Sequence, residues 1–189
     1  MELQGERLIP ASVDTTWASL NDPEVLKACI AGCESLERTG DDSLTAVVAL
    51  KVGPVSARFK GNLKMTNVQP PSGYTINFDG QGGVAGFGKG SADVALTAEG
   101  TQTRLKYNAR AQVGGKMAQV GSRLIDAAAG KITEDFFKAF EAHLQASAAP
   151  AGTDEAALPA AVAADGGIAK VWWLIGAVVL LAVLYFVIR

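Results

Sequence analysis

Histidine and cysteine are nearly missing from this chain. Its 189 residues include one His, His143, and two Cys, Cys29 and Cys33. One imidazole so far in sequence from two thiols makes a poor metal ligand set, and none is assigned. Ser-His-Asp chemistry is also excluded, because the single His falls near the end of the last helical pattern. A surplus of one charge is missing too. Seventeen Lys and Arg face 19 Asp and Glu, for a net charge of −2 and no basic stripe. That balance argues against a nucleic-acid partner. The acidic pairs Asp41-Asp42 and Glu134-Asp135 fall at a turn and on a helix surface, where they are expected to be solvated. No two carboxylates are spaced for acid–base work, so no catalytic residue is assigned and the chain is read as a non-enzyme.

The amino-terminal stretch "MELQGERLIPAS" has no basic region followed by an apolar one, so it is not read as a secretory leader. Long uncharged runs are also absent, with one exception. Val171 to Ile188, "VWWLIGAVVLLAVLYFVI", carries no charge, Pro, Asn or Gln. A helix of that length rises about 27 Å, enough for a hydrocarbon core. Trp172 and Trp173 at one end and Tyr185 near the other suit the headgroup layer, and Lys170 and Arg189 flank the run. Residues 170–189 are therefore expected to form a transmembrane tail anchor in the inner membrane, single-pass, with the domain in the cytoplasm. Both cysteines would be reduced there. Residues 146–169, rich in Ala with Pro and Gly, read as a flexible linker reaching about 25–30 Å.

Residues 1–145 form the folded part. Glu2 to Ile9 alternates as a strand. Ser12 suits the cap of one short helix, and Pro23 the first position of a second. Five alternating segments come next, at 42–52, 55–69, 74–80, 91–100 and 103–113. They place Leu44, Ala46 and Val48, then Phe59, Leu63 and Met65, then Tyr74, Ile76 and Phe78 on one face, with Val94, Leu96, Leu105 and Tyr107 continuing it. Such alternation predicts an antiparallel sheet with one wet and one covered face. The period then changes. Met117, Val120, Leu124, Ala128, Ile132, Phe136, Phe140 and Leu144 predict a single helix from Lys116 to about Gln145. Arg123 and Asp126 are placed to pair on its wet side. Gly121, Ala127, Ala128, Ala129 and Gly130 add little bulk, so volume is expected between helix and sheet. This is the helix-grip order, an α+β fold in which an antiparallel sheet wraps a long carboxyl-terminal helix around an apolar cavity.

The stretch "GVAGFGKGS" (83–91) fits a phosphate loop except that Gly90 stands where Ser or Thr is required. A phosphate loop needs a helix after it. The next residues here are "GSADVALTAEG", which alternate as a strand, so the nucleotide reading fails. The overlapping Gly80, Gly82 and Ala85 dinucleotide pattern fails with it. The stretch is read instead as a glycine-rich turn presenting Phe87, with Gly86 and Phe87 expected to meet a partner. Phe87→Ala or Gly86→Val is expected to weaken that docking and leave the fold intact.

Three blocks, "KVGPVSARFKG" (51–61), "GGVAGFGKGSADV" (82–94) and "VGGKMAQVGSRLID" (113–126), come before "FFKAF" (136–140). Together they resemble the carbon monoxide dehydrogenase G-subunit family of the START-like (SRPBCC) superfamily. The resemblance runs from Met1 to about Leu144. It implies a START-like fold and an accessory role, bringing a CO dehydrogenase-type molybdenum hydroxylase to the cytoplasmic membrane face. Combined with the apolar cavity, it implies no tightly bound cofactor but a lipophilic electron acceptor, a quinone such as menaquinone or ubiquinone, as ligand. Trp17, Phe59, Phe78, Val120, Leu124 and Phe136 are the expected cavity lining; membrane lipid is the other expected partner. A pure anchoring or assembly module would need no cavity. A small-molecule enzyme of the cyclase or hydroxylase type would need polar groups in the pocket, and the inward faces offer little beyond Tyr107.

Overall fold

The computed structural model describes residues 1–148. Residues 149–189, which hold Trp172, Trp173, Tyr185 and most of the expected linker, lie outside the described residues. Among the described residues no helix is long and apolar enough to cross a membrane.

The elements run β1 (Glu2–Ile9), α1 (Val13–Leu20), α2 (Pro23–Cys29), β2 (Cys33–Gly40), β3 (Ser43–Val52), β4 (Val55–Gln69), β5 (Gly73–Gln81), β6 (Phe87–Glu99), β7 (Gln102–Gly114) and α3 (Ser122–Ala148). All seven strands form one antiparallel sheet in the order β1-β7-β6-β5-β4-β3-β2. Chain neighbours are therefore sheet neighbours from β2 to β7, and β1 closes on β7 with Glu2 opposite Arg110. The helices begin where their caps dictate. The Ser12 hydroxyl accepts from the Thr15 backbone N–H at 3.2 Å, and Asp22 Oδ1 accepts from that of Glu24 at 2.9 Å, with Pro23 supplying no N–H to satisfy.

Two expectations need correction. The strand β2 has no counterpart in the sequence reading. Its "CESLERTG" buries Leu36 alone, because an edge strand with charged residues carries almost no hydrophobic alternation. The long helix begins at Ser122, not Lys116. Residues Gly115–Val120 form a 3-10 segment that stops at Gly121, whose φ of 92° an L side chain rarely adopts. The helix itself is 27 residues, about 40 Å long. Arg123 and Asp126 form no ion pair among the described residues.

The core has two parts. Ile9, Leu20, Leu96, Leu105, Phe137, Phe140 and Leu144 pack the carboxyl-terminal half of α3 onto β1, β6 and β7. Leu36, Leu44, Ala46, Met65 and Tyr74 fill the other end of the sheet. Trp17 touches both clusters. Glu134, expected to be solvated, instead pairs with Arg7 of β1, and the Arg7 guanidinium also lies 5.5 Å from the centre of the Phe137 ring. Its neighbour Asp135 accepts from Lys131 at 2.7 Å. The buried hydroxyls of Thr16 and Thr103 are satisfied in series, Thr16 donating to Thr103 at 3.3 Å and Thr103 to the Ala11 carbonyl at 2.8 Å. That chain ties α1 to β7 beneath the first cluster.

Candidate functional site: an apolar cavity under the long helix

Between the covered face of the sheet and the first half of α3 lies a cavity of about 600 Å³. A volume of that order suits a mostly apolar small molecule. Its floor is the row predicted by strand alternation, including Leu44, Val48, Phe59, Leu63, Ile76 and Phe78. Its roof is Ile125, Ala128, Ala129, Ile132 and Phe136 of α3. The cavity exists because Ala128 and Ala129 put single methyl groups where larger side chains would reach the sheet. Farther along the helix Phe140 and Leu144 do reach it and the core is solid there, with Phe137 at the boundary belonging to both.

Of the expected lining, Phe59, Phe78 and Phe136 face this space. Trp17, Val120 and Leu124 are not among the lining residues. Trp17 stands behind Tyr74, edge to face with ring centres 5.5 Å apart. Val120 precedes the break at Gly121 and so belongs to a different segment from the helix. Leu124 is 49% exposed and approaches Gly53 in the β3–β4 turn. The difference has a geometric cause. A strict row of every fourth residue is inclined about 26° to the helix axis, so it cannot stay on one face along the whole helix. The true face steps by three and four, through 125, 128, 129, 132 and 136. Of the helix residues that line it, Ile125, Ala129 and Phe137 were absent from the predicted row, and mixed three–four spacing was the signal.

The glycine stretch takes a specific form. Residues Gly83–Ala85 make one 3-10 turn, and the Gly82 N–H donates to the Gly86 carbonyl at 2.8 Å. Gly86 has φ 111° and ψ −149°, and a methyl group there would sit 1.9 Å from the Gly114 carbonyl oxygen. Position 86 is therefore locked to glycine by backbone, and the expectation that Gly86→Val leaves the fold intact is wrong. The neighbouring glycines receive aromatic rings. Phe59 lies over Gly82 and Phe87 over Gly114, each ring filling the space of the missing side chain, while at Gly90 the Arg110 carbonyl oxygen takes that space first, with the Phe78 ring beside it. Phe87 lines the cavity and remains 39% exposed, while Val84 at the turn is 85% exposed.

Polar groups are few and mostly engaged. At the margin, Arg38 donates to the carbonyls of Asp41 and Asn21 at 2.8 and 2.7 Å, and Asn21 donates to the Trp17 carbonyl at 2.8 Å. Asn62 donates to the Asp79 carboxylate at 3.3 Å. Two tyrosines also line the cavity, and no hydrogen bond to a described residue engages either hydroxyl. The Tyr107 hydroxyl lies against Gly5 of β1, whereas Tyr74 is 6% exposed on the apolar floor. Among the described residues no fully enclosed polar side-chain atom lacks a partner, so the Tyr74 hydroxyl keeps access to open space, and the space its residue lines is the cavity. Burial of the residue pushes its pKa up to about 12, because the phenolate would lose its hydration. Burial also raises the thiols of Cys29 and Cys33, with Lys27 partly offsetting the effect at Cys33, so neither is poised as a nucleophile. No group of three or more His, Cys, Asp or Glu is placed to hold a metal ion among the described residues.

Comparison with known proteins agrees with this geometry. The family model for CoxG, the G subunit of carbon monoxide dehydrogenase, matches residues 5–145. No curated protein matches. A conserved protein from Geobacillus kaustophilus is 31% identical over 78% of this chain and 97% of its own, with a TM-score of 0.73. A START superfamily protein from Mycobacterium smegmatis is 17% identical over 77% of this chain and 98% of its own, with a TM-score of 0.59. The Zhui aromatase/cyclase from a Streptomyces species is 14% identical over 80% of this chain and 98% of its own, with a TM-score of 0.56. The last two likenesses show the START-like fold alone. The chain belongs to the CoxG family, named for the G subunit of carbon monoxide dehydrogenase.

Proposed function

We propose that this chain is a membrane-tethered accessory protein for a CO dehydrogenase-type molybdenum hydroxylase, and that its cavity carries a lipophilic quinone between that enzyme and the bilayer. The single observation behind the carrier role is the apolar cavity of about 600 Å³. A module that only anchored a partner would have no use for it, and a filled core would be more stable. The tether is the uncharged run Val171–Ile188, joined through a linker of about 25–30 Å reach. The family supplies the partner: its name ties it to carbon monoxide dehydrogenase. Electrons leaving a soluble oxidoreductase must reach an acceptor dissolved in hydrocarbon, and a tethered cavity meets both requirements. A cyclase-type enzyme is less favoured. The cavity holds no carboxylate–imidazole pair, and its marginal polar groups bond to backbone or to each other.

Extraction of the protein purified from native membranes, followed by mass spectrometry, tests the carrier role. An isoprenoid quinone in stoichiometric amount is expected, and its absence would overturn the reading. Deletion of residues 146–189 tests the tether separately. The hydroxylase should leave the membrane fraction; an enzyme that stays bound defeats the recruitment role.

A further inference from the structure

We propose that Tyr74 is the polar anchor of the cavity, its phenol donating one hydrogen bond to a neutral acceptor oxygen on an otherwise apolar ligand. The inference rests on the ligand-carrier reading and deepens it by naming the recognising group and the ligand chemistry. Tyr74 lines the apolar floor, on the same strand face as Ile76 and Phe78. Leu44, Ala46 and Met65 pack around its ring, and Trp17 braces it edge to face at 5.5 Å. The ring is thus fixed, while its hydroxyl opens onto the cavity without a partner among the described residues. Water in the cavity can accept from this hydroxyl, and an apolar ligand that displaces that water must supply an acceptor of its own or leave the hydroxyl unpaired.

The chemistry of the acceptor is set by its surroundings. No cationic side chain other than the marginal Arg38 lines the cavity, and both terminal nitrogens of Arg38 are engaged by carbonyls. Arg38 is exposed, so an anionic head on the buried apolar floor would lack a buried countercharge, which disfavours fatty-acid carboxylates and phosphates there. A neutral carbonyl or ether oxygen on a ring or chain fits. Because the phenol stays protonated far above neutrality, it serves as a donor at every physiological pH.

The test uses the full chain in phosphatidylcholine nanodiscs with two matched probes, 2-methyl-1,4-naphthoquinone and 2-methylnaphthalene, each corrected for uptake by empty discs. The quinone should bind with its infrared carbonyl stretch shifted to lower frequency. Tyr74→Phe should weaken quinone binding about three- to tenfold, the worth of one neutral hydrogen bond, and abolish the shifted band. Binding of 2-methylnaphthalene should be unchanged, and the thermal midpoint should stay level or rise. Equal quinone affinity and an unchanged band in Tyr74→Phe would overturn the anchor role alone. Equal loss of both probes would also overturn it, by showing that the residue only shapes the cavity. Failure of both probes to bind the wild-type chain would overturn the carrier reading and the anchor with it.

Discussion

Phe87 stands opposite Gly114 on the neighbouring strand, and its ring occupies the space that a side chain at 114 would need. A methyl carbon at 114 would lie 2.3 Å from the ring edge. One strand supplies the aromatic wall of the cavity, and the next supplies the vacancy that lets it lie flat.

Gly114→Ala should therefore push Phe87 out of place and cost about 1–3 kcal/mol by overpacking. Phe87→Ala added to Gly114→Ala should restore part of that loss. Urea unfolding of the two single variants and the double variant measures the coupling. Strict additivity would show that the ring and the glycine do not share this space.

Gly86→Ala should be worse than Gly114→Ala, because its obstacle is backbone rather than a movable ring. The φ of 111° with ψ of −149° is nearly glycine-only territory, costing about 1–3 kcal/mol before the contact with the Gly114 carbonyl is counted. Thermal unfolding in parallel with Gly83→Ala, where nothing lies within 4 Å of the new methyl, separates the two costs. Equal midpoints for the two variants would show that the Gly114 contact is absent.

Ala128→Phe should fill the cavity from the roof. The circular dichroism spectrum and thermal midpoint are expected to hold, because the ring enters existing apolar space. Extractable lipophile from the variant should fall about tenfold, as expected when the binding volume is lost. Undiminished extraction would place the ligand elsewhere.

Tyr74 gives the domain an alkaline limit. Its folded pKa of about 12 lies above the ordinary 10, so the phenol is neutral in both states below pH 10 and stability there is untouched. Between pH 10 and about 12 the unfolded chain releases the proton and the folded chain keeps it, so stability falls as pH rises. The loss should approach about 2–3 kcal/mol at a pH of about 12. Denaturant unfolding of wild type and Tyr74→Phe, below pH 10 and again near 12, checks it: the difference between them should change by that amount.

Much of the sheet was legible because strands report their faces with period two. The apolar floor residues from Leu44 to Phe78 could be read from alternation, and so could Tyr74. Its polar role could not, since alternation records which face a residue takes and not whether its hydroxyl finds a partner. The edge strand β2 was invisible for the opposite reason: charged residues at a sheet edge erase the pattern. The helix was read as a fourth-residue row, which fixed its existence and misplaced Val120 and Leu124.

The order of elements other than β2, the covered face of the sheet and the failure of the nucleotide motif could be read from sequence alone, because each depends on local periodicity. Space under the helix was expected from its small residues, but the cavity's outline and full lining could not be read. Its volume is set by which helical residues face the sheet across a distance of many residues, with Ala128 and Ala129 above and Phe78 and Phe59 below. Gly82 likewise took its meaning from the Phe59 ring of β4, and Gly86 and Gly90 from the backbone of β7. Local pattern chooses the element; only packing between elements decides where space is left, and here the space is the site.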